Sequence, residues 1–190
     1  ISQHFRGHKV FVSIICVLCY IFTDEYKAEV YSQEYLMIKM PIQKYTQIFF
    51  RDITSLGSIY IYMIFPLIAL FTGEYRLFLQ LSFGAVASFI IAIIIRLIYF
   101  KERPNKQPHN NLIERIDASS FPSIHAARAS FMFLVFDAFF LNYLIITIFL
   151  AIISILICYS RIHLKKHDFA DVGGGIIMGI ILALIALNYL

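Results

Sequence analysis

The sequence predicts an all-α polytopic membrane protein, a bundle of six transmembrane helices. Three observations carry this. Of the 190 residues, 60% are hydrophobic and 15% charged, where a soluble domain averages about 45–50% apolar and about 25% charged. The mean hydropathy is +0.77. The apolar residues also gather into long stretches, at 10–22, 53–71, 77–100, 121–141, 141–159 and 172–190, near the length of about 20 residues that crosses a bilayer as a helix. Disorder is excluded, because it needs low hydrophobicity. With 8 Gly and 3 Cys, collagen-like and disulfide-built chains are excluded too. The runs are too long and continuous for barrel strands. One domain over residues 1–190 fits this length.

Each stretch has its own justification. Residues 10–22 resemble a signal-peptide core, but Thr23, Asp24 and Glu25 follow where a small-residue cleavage site belongs, so a retained membrane helix is expected. Cys16 and Cys19 lie inside this run with only Cys158 left over, too few for a zinc site; they read as small apolar residues. Residues 24–52 mix Tyr, Glu and Lys with apolar side chains around Pro41, a pattern for an interfacial amphipathic helix. The stretch 77–100 carries Arg96 near its end, 121–141 carries Arg128 and Asp137, and 172–190 carries no charge.

Six spans put the charged segments 24–52, 101–120 and 160–171 on one side of the membrane. Between Arg96 and Arg128 stand six basic residues against three acidic ones, and between Ser160 and Asp171 three against two. Two readings fit a basic membrane face: a pocket for a phosphate headgroup, or a rim that merely touches anionic lipids.

Four motifs bear on that choice. Arg96 and Arg103 are seven residues apart, hence on one face of a continuous helix, with Pro104 ending it. Guanidinium forks suit phosphate oxygens; the alternative for Arg96 is snorkelling to the headgroups. Ser119, Ser120, Pro122 and Ser123 mark a helix start with Pro122 in its first turn, and His125 follows one turn in. A helix start is an anion site; plain capping by the serines and an interfacial histidine are the alternative. Arg161, His167 and Asp171 form the third motif. His167 and Asp171, four apart, stack on a helix, where a carboxylate fixes the imidazole tautomer and leaves the other nitrogen free to attack. His163 and Asp168 read as ordinary rim residues. Gly173, Gly174, Gly175 and Gly179 read as close helix packing, not as a phosphate loop.

Taken together, Arg96…Arg103-Pro104, Pro122-Ser123-Ile124-His125 and Ser160-Arg161…His167…Asp171 resemble the three-part signature of the type 2 phosphatidic acid phosphatase family. That signature reads Lys, six residues, Arg-Pro; Pro-Ser-x-His, often with Gly at x; and Ser-Arg, five residues, His, three residues, Asp. The likeness covers residues 96–171 in order and spacing. It implies a six-helix bundle with its site near one membrane surface, and hydrolysis of a phosphoester through a phosphohistidine, with no metal and no cofactor. By the same resemblance His167 is the nucleophile, Asp171 orients it, and His125 is the general acid. Arg96, Arg103, Ser123 and Arg161 hold the phosphoryl oxygens. Two positions depart from the pattern: Arg96 stands for Lys, which changes donor geometry at equal charge, and Ile124 stands for Gly, which a normal helical turn tolerates but a positive φ would strain.

The function expected is that of an integral membrane lipid phosphatase acting on a phospholipid or polyprenyl (di)phosphate, with the bilayer as its other partner and no nucleic acid. A lipid phosphotransferase would use the same residues, and a non-catalytic lipid-binding or transport protein would keep the same pocket. The resemblance implies a plasma-membrane protein with an extracytoplasmic site. The positive-inside rule reads the other way, since most Lys and Arg lie on the site side. Loops that serve an anionic substrate have their own reason to be basic, and the extracytoplasmic expectation follows.

Overall fold

The computed structural model describes residues 42–105, 111–141 and 143–190. The expected span at 10–22, Cys16, Cys19 and the first part of the amphipathic segment lie outside the described residues. The rest is helical: α1 Ile42–Ser55, α2 Ile59–Phe71, α3 Tyr75–Ile98, α4 Leu112–Ala118, α5 Ile124–Phe139, α6 Leu144–His163 and α7 Phe169–Tyr189. The chain is an all-α polytopic membrane protein, as the sequence predicts. Every expected span after the first falls on a helix or helix pair. Four segments among the described residues are long and apolar enough to cross a bilayer: Lys44–Phe71, Tyr75–Ile98, Leu144–His163 and Phe169–Tyr189.

The boundaries differ from the expected ones for local reasons. The span expected at 53–71 is broken after Ser55, and α2 starts afresh from Ser58, whose Oγ accepts the Ile61 N–H at 3.4 Å. The α2–α3 turn is tight because Gly73 takes a φ of 78° and Glu74 N–H reaches back to the Ala69 carbonyl at 2.9 Å. At 16 residues, α5 is shorter than a span. It is nevertheless the most enclosed helix, buried through Ala126, Ala127, Phe131, Val135 and Phe136. It starts at Ile124, so Pro122 precedes the helix and does not occupy its first turn.

The core runs along α3, α5 and α7, through Leu81, Phe131, Val135, Leu182 and Ala183. Small residues bring these helices together. The Phe131 ring lies over Gly84, where a Cβ would come within 2.3 Å of it. A Cβ on Gly175 would stand 2.3 Å from the Ser123 carbonyl oxygen, and one on Gly179 would stand 2.3 Å from that of Ala127. Gly175 and Gly179 of α7 therefore serve close packing, as expected, and Gly174 lies under the Phe121 ring, whereas a Cβ on Gly173 would meet nothing within 4 Å; without a hydrophobic force between helices in lipid, contact at this range holds the bundle. Large apolar side chains such as Phe89, Ile94, Ile148, Ile155, Ile181 and Leu184 cover its outside.

One end of the bundle collects the polar groups. There α3 and α6 finish, α5 and α7 begin, and α1 meets α6 through Phe50 on Tyr159 and His163, with ring centroids 5.3 and 4.2 Å apart.

Candidate active site

The end of α3 supplies Arg96, 7% exposed. Its guanidinium donates to the carbonyls of Ile116 (3.2 Å) and Pro122 (3.1 Å). A buried cation on carbonyls alone keeps its full charge for an anion. Arg103 does not share a helical face with it, contrary to the seven-residue spacing. Helix α3 stops at Ile98 and Tyr99 is extended, with φ −124° and ψ 99°. The chain then runs back along residues 119–120: Glu102 and Ser119 form an antiparallel bridge, and Ser120 N–H donates to the Lys101 carbonyl at 2.7 Å. This extended return brings Arg103 beside Arg96, and Arg103 Nη2 donates to the Asp117 carbonyl.

Ser123 is the N-cap of α5, yet its side chain caps nothing. Its Oγ is buried without a hydrogen-bond partner. Its backbone N–H donates to the Asp171 carbonyl at 3.0 Å, so the starts of α5 and α7 are joined backbone to backbone. Ile124 opens the helix with an ordinary negative φ; among the described residues only Lys165 and Gly73 have a positive one. His125 stands next on α5, packed against the α1–α2 turn. A Cβ on Gly57 would approach Ile157 Cγ2 to 2.9 Å and His125 Cδ2 to 3.1 Å, so a side chain here would press on both. The charges of Arg161, Arg128, His167 and Arg103 all act on His125.

Arg161, near the end of α6, is 8% exposed and donates from Nη1 to Thr54 Oγ1 at 3.0 Å. The turn after α6 is closed by Lys166 N–H and His167 N–H, both donating to the Arg161 carbonyl, at 3.1 and 3.2 Å. His167 is 3% exposed and Asp171 is fully buried. They meet across the start of α7 and not along a helix face, because Asp168 is the N-cap and only Asp171 lies within the helix. The N-cap is reciprocal: Asp168 Oδ1 accepts the Asp171 N–H at 2.9 Å, and Asp171 Oδ2 accepts the Asp168 N–H at 3.0 Å. His167 Nδ1 lies 3.7 Å from Asp171 Oδ2, too long for a hydrogen bond.

Burial pushes the His167 pKa down to about 3, and Arg161 and Arg103 push the same way; the Ser120 backbone opposes them, and Arg96 adds to the fall. At this pKa the His167 imidazole is neutral near pH 7, the state in which a ring nitrogen keeps its lone pair. Lys101 Nζ sits 2.6 Å from Asp168 Oδ2 and 2.8 Å from Asp171 Oδ1. Burial pulls the Lys101 pKa down, but the two carboxylates outweigh it and the net shift is upward. For Asp168 burial acts upward, while Lys101 and the N–H groups of Asp171 and Ala170 bring its pKa below the usual value.

All seven predicted site residues therefore lie at one end of the bundle, linked through these contacts. Three contributors were not foreseen: Lys101, Thr54 and the capping role of Asp168. Asp168-x-x-Asp171 carries a legible capping signal. Thr54 carries none, since it lies more than a hundred residues from Arg161.

The helical membrane bundle thus gathers buried arginines, a buried hydroxyl without a hydrogen-bond partner and a His–Asp pair at one end. The PAP2 superfamily model matches residues 77–190, more than half of the chain, and the protein belongs to that superfamily. Two solved structures are similar in fold. LpxE of Aquifex aeolicus matches with a TM-score of 0.63 at 24% identity, covering 76% of this chain and 86% of that one. A transmembrane PAP2-type phosphatidylglycerolphosphate phosphatase from Bacillus subtilis matches with a TM-score of 0.61 at 20% identity, covering 100% of this chain and 96% of the other.

Proposed function

We propose that the protein is an integral membrane lipid phosphatase that removes a terminal phosphate from a phospholipid or polyprenyl (di)phosphate through a phosphohistidine, without a metal. Membership of the superfamily supports the class of reaction. The observation that carries the reading is the state of His167: a buried, neutral imidazole beside Asp171, acted on by Arg161, Arg103 and Arg96, of which Arg96 and Arg161 spend their hydrogen bonds on carbonyls and a hydroxyl.

The roles follow from the positions. His167 Nδ1 points to Asp171, so Nε2 is the attacking nitrogen. As the P–N bond forms, the imidazole becomes cationic and the Asp171 carboxylate stabilises it; the 3.7 Å separation shortens when charge develops, as apo-site hydrogen bonds often do. Arg96, Arg103 and Arg161 bind the equatorial oxygens, where most of the transition-state charge lies. The Ser123 hydroxyl donates to one of them. His125 protonates the leaving oxygen and then takes a proton from the water that opens the phosphohistidine. A lipid enters sideways, because the site stands at headgroup depth at the end of apolar helices. One domain carries this chemistry, in the plasma membrane with the site on the extracytoplasmic face.

The test is phosphate release from phosphatidate, phosphatidylglycerophosphate and a polyprenyl diphosphate by the protein in detergent with a chelator present. Turnover of at least one is expected, with a loss of at least about 10³-fold in His167→Ala. Retained activity in that variant overturns the nucleophile, and the absence of turnover on all three overturns the lipid-phosphatase reading.

A further inference from the structure

Arg128 is a cation that the mechanism above does not use. It lies on α5, three residues after His125, and is 6% exposed. Among the described residues its guanidinium makes no hydrogen bond and no ion pair, and its Nε is buried without a partner. The group acting in its favour is the Tyr62 phenol, whose hydroxyl proton is already given to the Leu81 carbonyl at 2.8 Å. The other buried site arginines differ: Arg96 has two carbonyls and Arg161 a hydroxyl. A buried charge with no counter-charge is costly, and inside a membrane protein it points to a missing anion.

The place of Arg128 says which anion. Residues three apart on a helix are neighbours, and Arg128 is among the charges that act most on His125. His125 is the group assigned to the leaving oxygen. A cation beyond His125 therefore meets the departing part of the substrate, not the phosphoryl group being transferred.

We propose that Arg128 is a binding site for an anionic leaving group, and that the substrate is a lipid diphosphate: its terminal phosphoryl lies among Arg96, Arg103 and Arg161, and its inner phosphate against Arg128. This deepens the phosphatase reading and rests on it. His167 Nε2 bonds to the terminal phosphorus, and the bond from that phosphorus to the bridging oxygen breaks. The electron pair stays on the bridging oxygen, which departs as part of a lipid monophosphate, protonated by His125 or carrying its charge to Arg128. Water then attacks the phosphohistidine, His125 takes its proton, and inorganic phosphate leaves with His167 restored. A lipid monophosphate substrate would leave as an alcohol and give Arg128 no partner.

The experiment compares kcat/KM for a prenyl monophosphate and a prenyl diphosphate of equal chain length, in detergent, for the wild type, Arg128→Gln and Arg128→Lys. The wild type is expected to favour the diphosphate at least tenfold. Arg128→Gln is expected to lose at least ten times more activity on the diphosphate than on the monophosphate, and Arg128→Lys to recover part of that difference. Equal losses on both substrates, or a wild type that favours the monophosphate, overturn the proposal. A wild type that hydrolyses phosphatidate but neither prenyl lipid overturns this proposal alone; one active on no lipid phosphate overturns the phosphatase reading, and this inference falls with it. If Arg128→Gln does not fold, inhibition of the wild type decides: inorganic pyrophosphate is expected to inhibit at a concentration at least tenfold below inorganic phosphate, and equal potency refutes the second subsite.

Discussion

Lys101 and Asp171 form an ion pair, with Nζ 2.8 Å from an oxygen of a carboxylate that is fully buried. The same ammonium holds the N-cap of α7 through Asp168 at 2.6 Å. Lys101 thus fixes both ends of the cap that presents Asp171 to His167. Lys101→Met is expected to lower kcat by about tenfold with a small change in KM, because the carboxylate loses its anchor while the phosphate clamp stays whole. The thermal midpoint should fall as well, in keeping with roughly 1.5–3 kcal/mol for hydrogen bonds to charged groups. Partial recovery of kcat in Lys101→Arg separates positioning from general loss of fold; a rise in KM at constant kcat would contradict it.

Ser123→Ala offers a test in which stability and activity part company. Replacing an N-cap serine ordinarily costs about 1 kcal/mol. Here the hydroxyl makes no cap bond and is buried without a partner, so the thermal midpoint should stay level or rise. Phosphatase activity should fall by about tenfold, the scale of one lost donor to a charged oxygen. A marked loss of stability would show that the hydroxyl serves the fold.

The acid behaviour of His167 follows from its pKa of about 3. Side-chain ¹⁵N spectra of labelled protein should show this imidazole neutral down to about pH 4, while exposed histidines titrate near 6.5. The sign for stability is fixed by linkage. Between about pH 6.5 and about pH 3 the unfolded chain takes up a proton that the folded chain refuses, so stability falls as pH falls through that window. Titration of His167 near pH 6.5 in the empty protein would refute the burial argument.

Helix packing on α7 gives a graded series. Gly175→Ala places a methyl group 2.3 Å from the Ser123 carbonyl oxygen, and overpacking of this kind costs about 1–3 kcal/mol. Both stability and activity should drop, since the clash separates the starts of α5 and α7. Gly173→Ala meets nothing within 4 Å and should be neutral or gain up to about 1 kcal/mol from helix propensity. Thermal unfolding in one detergent measures both, and equal effects would deny the packing role.

Much of the fold was legible because a span announces itself by length and hydropathy. The ends were less so. The break at Gly57 hides in an apolar run, and what demands it is contact with His125 and Ile157, partners about a hundred residues distant or less. The site motifs were legible by spacing, while the geometry they imply was not always the one adopted. Arg96 and Arg103 read as two turns of one helix but meet through an extended return, because pairing with residues 119–120 satisfies the backbone that α3 gives up. His167 and Asp171 read as helix neighbours but face each other across a cap that Asp168 begins. Lys101 stayed unread because a lysine between two arginine positions looks like one more rim charge, and only the fold shows the two carboxylates it joins.

The bond from Ser123 N–H to the Asp171 carbonyl, with Gly175 pressed on the Ser123 carbonyl, makes the first turns of α5 and α7 a single rigid body. Both imidazoles are mounted on or beside that body, so their mutual distance does not depend on how the surrounding lipid squeezes or tilts the bundle. Whatever opens and shuts the entrance for a bulky tail has to be sought in α1 and the α1–α2 turn, which meet the site from outside at Arg161 and His125, since the end of α6 is itself tied to His167 through the Arg161 carbonyl.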